Sequence, residues 1–256
     1  MPFDRCSYSL YHFFNFPLLN PKAMKRLGLI GGTSWHSTIE YYRAINEAVN
    51  QHFGNNTNPP LVLFNVDQAS VHRYQVEGSW EKIAEMFTDA GKHLIAAGVE
   101  AVMFCANTPH RVYGQVESEI SVPILHIADA TAAAIKDQGI KSVGFIGTKY
   151  SMEQSFVTGR IGEHEIEVLV PDTSETREEL HRIIQQELTF GRVEEKSKKY
   201  VLDTIAAMRS KGAQGIVLGC TEFPLMFPQG VPGMPEFNTT TIHAAAAVEF
   251  ILSSTS

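Results

Sequence analysis

One pattern of residues occurs twice in this chain, and this repeat limits the possible folds more than any other feature. In residues 98–108 and again in residues 212–222, a glycine is followed by an apolar run that ends in small polar residues. A second pair of similar segments, residues 25–32 and 141–148, comes earlier in each half. The sequence therefore predicts two similar lobes instead of one continuous core.

Apolar runs alternate with helical segments along the chain, which is the pattern of parallel sheets built from β-α-β units. Strands are expected at residues 25–33, 60–66, 101–105, 122–127, 141–148, 165–171 and 215–219. Ser37 or Thr38 is expected to cap the first helix. The predicted fold class is α/β, with two pseudo-symmetric, doubly wound parallel-sheet domains and the active site in the cleft between them.

The expected domain boundaries follow from the same pattern. Residues 1–23 are aromatic and irregular and are expected to form an extension outside the core, so that the folded part begins at Met24. Residues 24–130 together with 231–256 are expected to form the first lobe, and residues 131–230 the second. A helix over residues 242–252 is expected to pack back on the first lobe.

Composition argues against several classes of protein. The 256 residues are 44% hydrophobic and 19% charged, as in ordinary soluble proteins. The net charge of -7, without a block of Lys and Arg, argues against nucleic-acid binding. No apolar run reaches the roughly 20 residues that cross a bilayer. Three distant cysteines predict reduced thiols in the cytoplasm, and no Cys or His spacing suggests a metal site.

Small polar loops follow four of the predicted strands. Ligands of parallel sheets bind at the carboxyl ends of strands, so these loops should converge on one cleft. Their hydroxyl, amide and backbone N–H groups are suitable donors to a carboxylate. The candidate binding residues are Gly32, Thr33, Ser34, Asn107, Thr108, Thr148, Lys149, Thr221 and Glu222. The glycines at 31 and 32 lack the full G-x-G-x-x-G spacing, which disfavours a nucleotide.

Cys220 is the strongest candidate for chemistry, because it directly follows a predicted strand and lies among polar loop residues. Backbone N–H groups of a following turn are expected to lower its pKa and make it reactive. Cys105 comes one residue earlier in its copy of the repeat, so its side chain is expected in the core. The residue that matches Cys220 is Ala106, so the second copy of the repeat carries a thiol and the first does not. His110 is a candidate base or a structural hydrogen-bonding residue.

The chain resembles the aspartate/glutamate racemase superfamily, and within it the broad-specificity amino-acid racemase branch. The matching stretches include GLIGGTSWHST at 28–38, NTPH at 107–110 and GCTE at 219–222. Further matches at residues 41–46, 125–131, 147–154, 235–239 and 242–244 extend the resemblance, in order, over residues 24–252. Asn238 stands where this branch more usually has Asp.

The resemblance implies an amino-acid racemase without metal, pyridoxal phosphate or nucleotide, acting on a small amino or carboxylic acid. It implies two thiols that flank the substrate Cα, one removing the proton and the other returning it on the opposite face. Cys220 matches the second of these thiols, and Ala106 stands at the position of the first. Cys105, a water molecule or His110 could replace the missing base. By analogy with the superfamily, a homodimer is possible.

Two alternatives to racemisation remain open. One thiol can protonate one face of a carbanion, which suits a single-thiol decarboxylase or lyase of the same superfamily. A non-catalytic relative that binds a ligand in the same cleft is the other. An acidic substrate would need a cation for its second carboxylate, and the candidates are Arg73, Lys149 and Arg160.

Overall fold

The computed structural model describes residues 24–253, which form two four-stranded sheets. The first half contains β1 (Leu27–Gly31), α1 (Trp35–Phe53), β2 (Leu61–Asn65), α2 (Gln68–Glu77), α3 (Trp80–Ala96), β3 (Ala101–Phe104), α4 (Tyr113–Glu117), β4 (Ile124–Leu125) and α5 (Ile127–Asp137). The second contains β5 (Ser142–Gly147), α6 (Lys149–Glu153), α7 (Ser155–Gly162), β6 (Glu167–Leu169), α8 (Ser174–Gln186), α9 (Glu195–Ser210), β7 (Gly215–Gly219), β8 (Glu236–Asn238) and α10 (Thr239–Leu252).

The two sheets have the same topology. Their strand orders are β2-β1-β3-β4 and β6-β5-β7-β8, and every pairing is parallel. The predicted α/β fold with two pseudo-symmetric sheets is therefore confirmed. Within residues 24–253, the helices lack the combination of length and apolarity that crossing a bilayer requires.

Each sheet is covered by helices on both faces, and β1 shows how the sequence produces this. Successive strand side chains point to opposite faces. Leu27 and Leu29 pack with α1 and α10 in one core cluster, whereas Ile30 packs with α3 in another. Burial on both faces explains why the strands read as continuous apolar runs.

The C-terminal segment divides between the two lobes. We expected residues 231–256 in the first lobe, and α10 does pack against α1. However, β8 pairs with β7 and completes the second sheet. The short strand was missed because three residues carry too little periodicity to be recognised.

Two local expectations about the first lobe were wrong. The cap of α1 is Ser34, whose Oγ accepts a hydrogen bond from the backbone N–H of Ser37, so the helix begins three residues earlier than expected. Helix α2 was not expected, because Val71 is its one buried residue and it has no apolar stripe. Its N-cap, Asp67, accepts from the backbone N–H of Ser70 and was the available sequence signal.

A buried imidazole links three elements of the first lobe. The Nε2–H of His243 on α10 donates to the carbonyl oxygen of Leu125 at 2.9 Å. Its Nδ1 therefore accepts from the hydroxyl of Tyr41 on α1, at 3.0 Å. Burial lowers the pKa of His243 to about 4 and that of His126 to about 3. Burial and the neighbouring histidines hold the pKa of His110 well below its usual value.

These histidines predict a loss of stability in acid. A histidine whose pKa is lower in the folded state stabilises the fold above its unfolded pKa of about 6.5, and this contribution is lost as the pH falls through the folded pKa. His243→Gln should reduce the slope of unfolding free energy against pH between about 6 and 4.5 by up to ~1.4 kcal/mol per pH unit. Urea unfolding at several pH values measures this slope.

His93→Gln is the matched control, because the side chain of His93 is 60% exposed and the variant should keep the wild-type slope. Equal slopes for His243→Gln and wild type would contradict the assignment of acid sensitivity to this buried imidazole.

Candidate active site

A cavity of about 90 Å³ lies between the lobes, at the carboxyl ends of the central strands of both sheets. It receives residues from the loops after β1, β3, β5 and β7, which the repeat predicted to converge. The loop residues that line it are Thr33, Ser34, Ala106, Asn107, Thr108, Thr148, Gly219, Cys220, Thr221 and Glu222.

Cys220 and Glu222 form the chemically distinctive pair of this cavity. The Sγ of Cys220 donates a hydrogen bond to the Oε2 of Glu222 at 2.8 Å. The hydroxyl of Thr221 donates to the same oxygen, also at 2.8 Å. The thiol is buried, with 9% of the residue exposed. In its resting state the site therefore holds a protonated thiol directly against a carboxylate.

The shift in the pKa of Cys220 is opposite in direction to the one that we expected. Backbone N–H groups of Thr221 and Glu222 do favour the thiolate, as the sequence suggested. Burial outweighs them, and the negative charge of Glu222 together with its acceptance of the thiol proton adds to this effect. The pKa of Cys220 is consequently raised well above the usual value of a thiol.

The loop after β3 supplies the first lobe's share of the site. Ala106 lines the cavity but has no group that can transfer a proton. The Nδ2 of Asn107 donates to Thr239 Oγ1 at 2.9 Å, and Thr239 donates onward to the carbonyl of Leu218 on β7 at 3.0 Å. The buried Oδ1 of Asn107 has no hydrogen-bond partner among the described residues. This amide is thus fixed across the lobes with one acceptor left for a ligand.

The turn between β1 and α1 contributes a second unpaired group. The Oγ1 of Thr33 is buried and has no partner within residues 24–253. Ser34 and Ser37 also line the cavity, and the hydroxyl of Ser37 donates to the carbonyl of Cys105 at 2.7 Å. Because the cavity lies at the start of α1, the positive end of this 19-residue helix favours an anion there.

Three predicted site residues, Gly32, Lys149 and His110, do not line the cavity. Gly32 has φ +92°, and a Cβ there would lie 2.1 Å from the carbonyl oxygen of Val66, so this glycine permits a close backbone approach. Lys149 is paired with Glu178 and is not directed into the site. The pKa of Lys149 is raised by this hydrogen bond.

His110 is occupied in holding the backbone of the loop after β3. Its Nδ1–H donates to the carbonyl of Ala106 at 3.0 Å, and its Nε2 accepts from the N–H of Ile127 at 3.2 Å. Both ring nitrogens are therefore engaged, and the side chain does not line the cavity. In this structure His110 therefore bonds to the backbone at Ala106 and Ile127, and its role as a base stays a prediction.

The remaining alternatives for a base or a cation also lie outside the cavity. Cys105 is 2% exposed and packs in the core beneath α1 and α10, as expected. Its thiol pKa is raised by burial. Arg160 makes two hydrogen bonds with Asp129, at 2.7 and 2.8 Å. Arg73 lies near Glu77 on the exposed side of α2.

The sequence profile of the Asp/Glu/hydantoin racemase family matches residues 30–247 of this chain. The chain belongs to this family. An Asp/Glu racemase candidate from Yersinia pestis is 42% identical, with a TM-score of 0.85 over 90% of this chain and 100% of the relative. An aspartate racemase homologue from Pyrococcus horikoshii is 36% identical, with a TM-score of 0.79 over the same shares.

Similarity to a curated family member is more distant. Glutamate racemase from Exiguobacterium sibiricum is 26% identical over 148 residues, which are 57% of this chain and 53% of that protein. The chain spans about half the length of the curated relatives it matches. Family membership therefore rests on the profile and on the structural relatives.

Sequence reasoning missed the helical side of the cavity. Helices α2 and α8, with Tyr150 of α6, add polar side chains to its lining: Gln68, His72, Gln75, His181 and Gln185. They were missed because α2 itself was not recognised and because lone histidines carry little signal. A wider surface depression of about 550 Å³ near α3 and α4 has four acidic residues among its nine lining residues and contains none of the strand-end residues.

The Cys220–Glu222 pair predicts a measurable change in thiol acidity. Glu222→Gln should lower the pKa of Cys220, because it removes the negative charge that opposes formation of the thiolate. The pH dependence of iodoacetamide alkylation, followed by mass spectrometry at Cys220, measures this shift. Glu236→Gln is the control, since Glu236 does not line the cavity. A thiol pKa that is unchanged in Glu222→Gln would contradict this account.

Proposed function

We propose that this family member is a cofactor-independent amino-acid racemase in which Cys220 transfers the proton at the substrate Cα. The observation that carries the proposal is the hydrogen bond from the Cys220 thiol to Glu222 in the cavity between the lobes. A Cα–H bond beside a carboxylate is a very weak acid, so the reaction needs a desolvated base close to it. A buried thiol–carboxylate pair meets that requirement.

The proton movements can be written with this pair alone on one face. The thiol proton of Cys220 passes to Glu222, and the resulting thiolate removes the proton from Cα. The electron pair of the broken C–H bond moves into the substrate carboxylate. Donors at the start of α1 and in the strand-end loops stabilise the negative charge that develops there.

Inversion also requires a proton on the opposite face. Ala106 occupies the matching position of the repeat and cannot supply one, and His110 and Cys105 are engaged elsewhere. We propose that a water molecule beside Ala106 supplies this proton. The hydroxide that remains takes the proton held by Glu222, which returns to the carboxylate form that accepts from the Cys220 thiol. Deprotonation from that face is the more difficult step, because neutral water is a poor base.

Removal of the thiol tests the proposal. In deuterium oxide, Cys220→Ser should exchange the substrate Cα–H at least about 10²-fold more slowly than wild type, because the general acid–base group is lost. Proton NMR with L- and D-amino acids measures exchange. Cys105→Ala is the matched control, since it removes a thiol outside the cavity and should exchange normally. Undiminished exchange in Cys220→Ser would disprove the role of this thiol.

A second candidate function is favoured by Ala106, because a site with one thiol suits a decarboxylase or lyase that protonates a carbanion on one face. Release of carbon dioxide from a substituted malonate, absent in Cys220→Ser, would support this function over racemisation. A ligand-binding protein without catalysis would bind an amino acid and exchange no Cα–H.

Introducing a thiol at position 106 tests whether this position marks the second face of the substrate. For a racemase, Ala106→Cys should raise the rate of inversion relative to the rate of Cα–H exchange, because both faces then carry an acid–base group. Chiral chromatography combined with NMR gives this ratio. Ala106→Ser is the control, because it adds a polar atom of similar size without a comparable acid. An unchanged ratio in Ala106→Cys would argue against Ala106 marking the second face.

A further inference from the structure

We infer that the substrate of this site carries an uncharged, hydrogen-bonding side chain, recognised between the cavity-lining faces of α2 and α8. The inference rests on the proposed function only in taking the ligand to be an amino acid. It concerns the part of the cavity that the thiol chemistry does not use, and it names a substrate class different from aspartate and glutamate.

Helix α2 presents one polar face to the cavity. Gln68, His72 and Gln75 line it, and their spacing of four and three residues places them in one row. The row alternates amide, imidazole and amide, so each member can both donate and accept a hydrogen bond. Such a row is matched to hydroxyl or amide groups of a ligand.

Helix α8 supplies the facing wall from the second lobe. His181 and Gln185 are one turn apart and both line the cavity. The ring of His181 lies edge-on to Tyr150, with ring centroids 5.9 Å apart. Its Nδ1 is a buried atom without a hydrogen-bond partner in the described part of the chain. A ligand group that reaches this nitrogen would satisfy it.

The cationic side chains of the surrounding helices form ion pairs with glutamates outside the cavity. Arg177 donates from Nε to Glu153 at 3.0 Å, and Lys149 pairs with Glu178. Arg182 of α8 bonds to Glu179 and Glu187. Among the described residues that line the cavity, none is a lysine or an arginine.

The charge of the cavity disfavours a second carboxylate on the substrate. Glu222 already places a carboxylate there, and an acidic amino acid would bring two more carboxylates instead of one. Removing an ionised carboxylate from water without a cationic partner is costly, whereas an amide or hydroxyl needs only hydrogen bonds. Desolvation also lowers the pKa values of His72 and His181, which disfavours the cationic forms of these side chains.

Introducing one cation into the row tests the substrate class. Gln75→Arg places a guanidinium on the cavity face of α2. Val76→Arg is the matched control: it adds the same charge to the next residue of the same helix, which is 84% exposed and does not line the cavity. Calorimetric binding and Cα–H exchange are measured with serine, threonine, asparagine, glutamine, aspartate and glutamate, each as both enantiomers.

Wild type and Val76→Arg should bind at least one neutral polar amino acid about tenfold or more tightly than aspartate and glutamate, a difference of about 1.4 kcal/mol. Gln75→Arg should reverse this order. Circular dichroism establishes whether the variants are folded. If Gln75→Arg does not fold, the binding preference of the wild type alone still tests the inference.

The two readouts separate this inference from the proposed function. The inferred substrate class would be overturned if the wild type bound aspartate or glutamate as tightly as it binds every neutral amino acid tested. This holds even if Cα–H exchange occurs. Failure of all the neutral polar amino acids to bind would overturn it as well. Preferential neutral binding without any Cα–H exchange would support the substrate class and reject the racemase.

Discussion

The hydrogen bond between the Cys220 thiol and the Glu222 carboxylate is the interaction on which the proposed chemistry of this site depends. Burial and the adjacent negative charge both keep the proton on sulfur, so Cys220 is a protonated thiol in the resting site. It becomes a base only when Glu222 takes that proton. A buried thiol without such a neighbour would have no adjacent carboxylate to accept its proton.

The pair can serve a reaction only because two copies of one topology face each other. Matching strand orders bring the loops after β3 and β7 to the same cavity, and Asn107 is linked through Thr239 to the carbonyl of Leu218. This link spans both lobes beside the site and uses the hydrogen-bonding capacity of only one end of the amide. The architecture is symmetric, whereas the site residues are not, because Ala106 occupies the position in the first copy of the repeat that Cys220 occupies in the second.

Strands β1 to β7 and the strand-end loops were predictable because strands covered on both faces are apolar runs, and ligand loops of parallel sheets occupy one edge. The three-residue β8 was the exception. Helix α2 was not predictable either, because a helix with Val71 as its one buried residue has no apolar period to detect. The sequence also could not predict where the side chains of His110 and Lys149 point relative to the cavity. Each lies in or next to a site loop, yet hydrogen bonds with Ile127 and Glu178, distant in sequence, hold it outside the cavity.

A site with one thiol has a kinetic consequence that follows from thermodynamics. The two enantiomers of an amino acid have equal free energies in an achiral solvent, so the equilibrium constant of racemisation is one. The specificity constants for the two directions must therefore be equal, however different the two faces of the site are. In the proposed racemase, an alanine instead of a thiol at position 106 would slow both directions together and could not make the reaction one-directional. In the proposed racemase the asymmetry would appear in the partition of the carbanion, which Cys220 would reprotonate on its own face more often than water would on the other, and in kcat and KM taken separately.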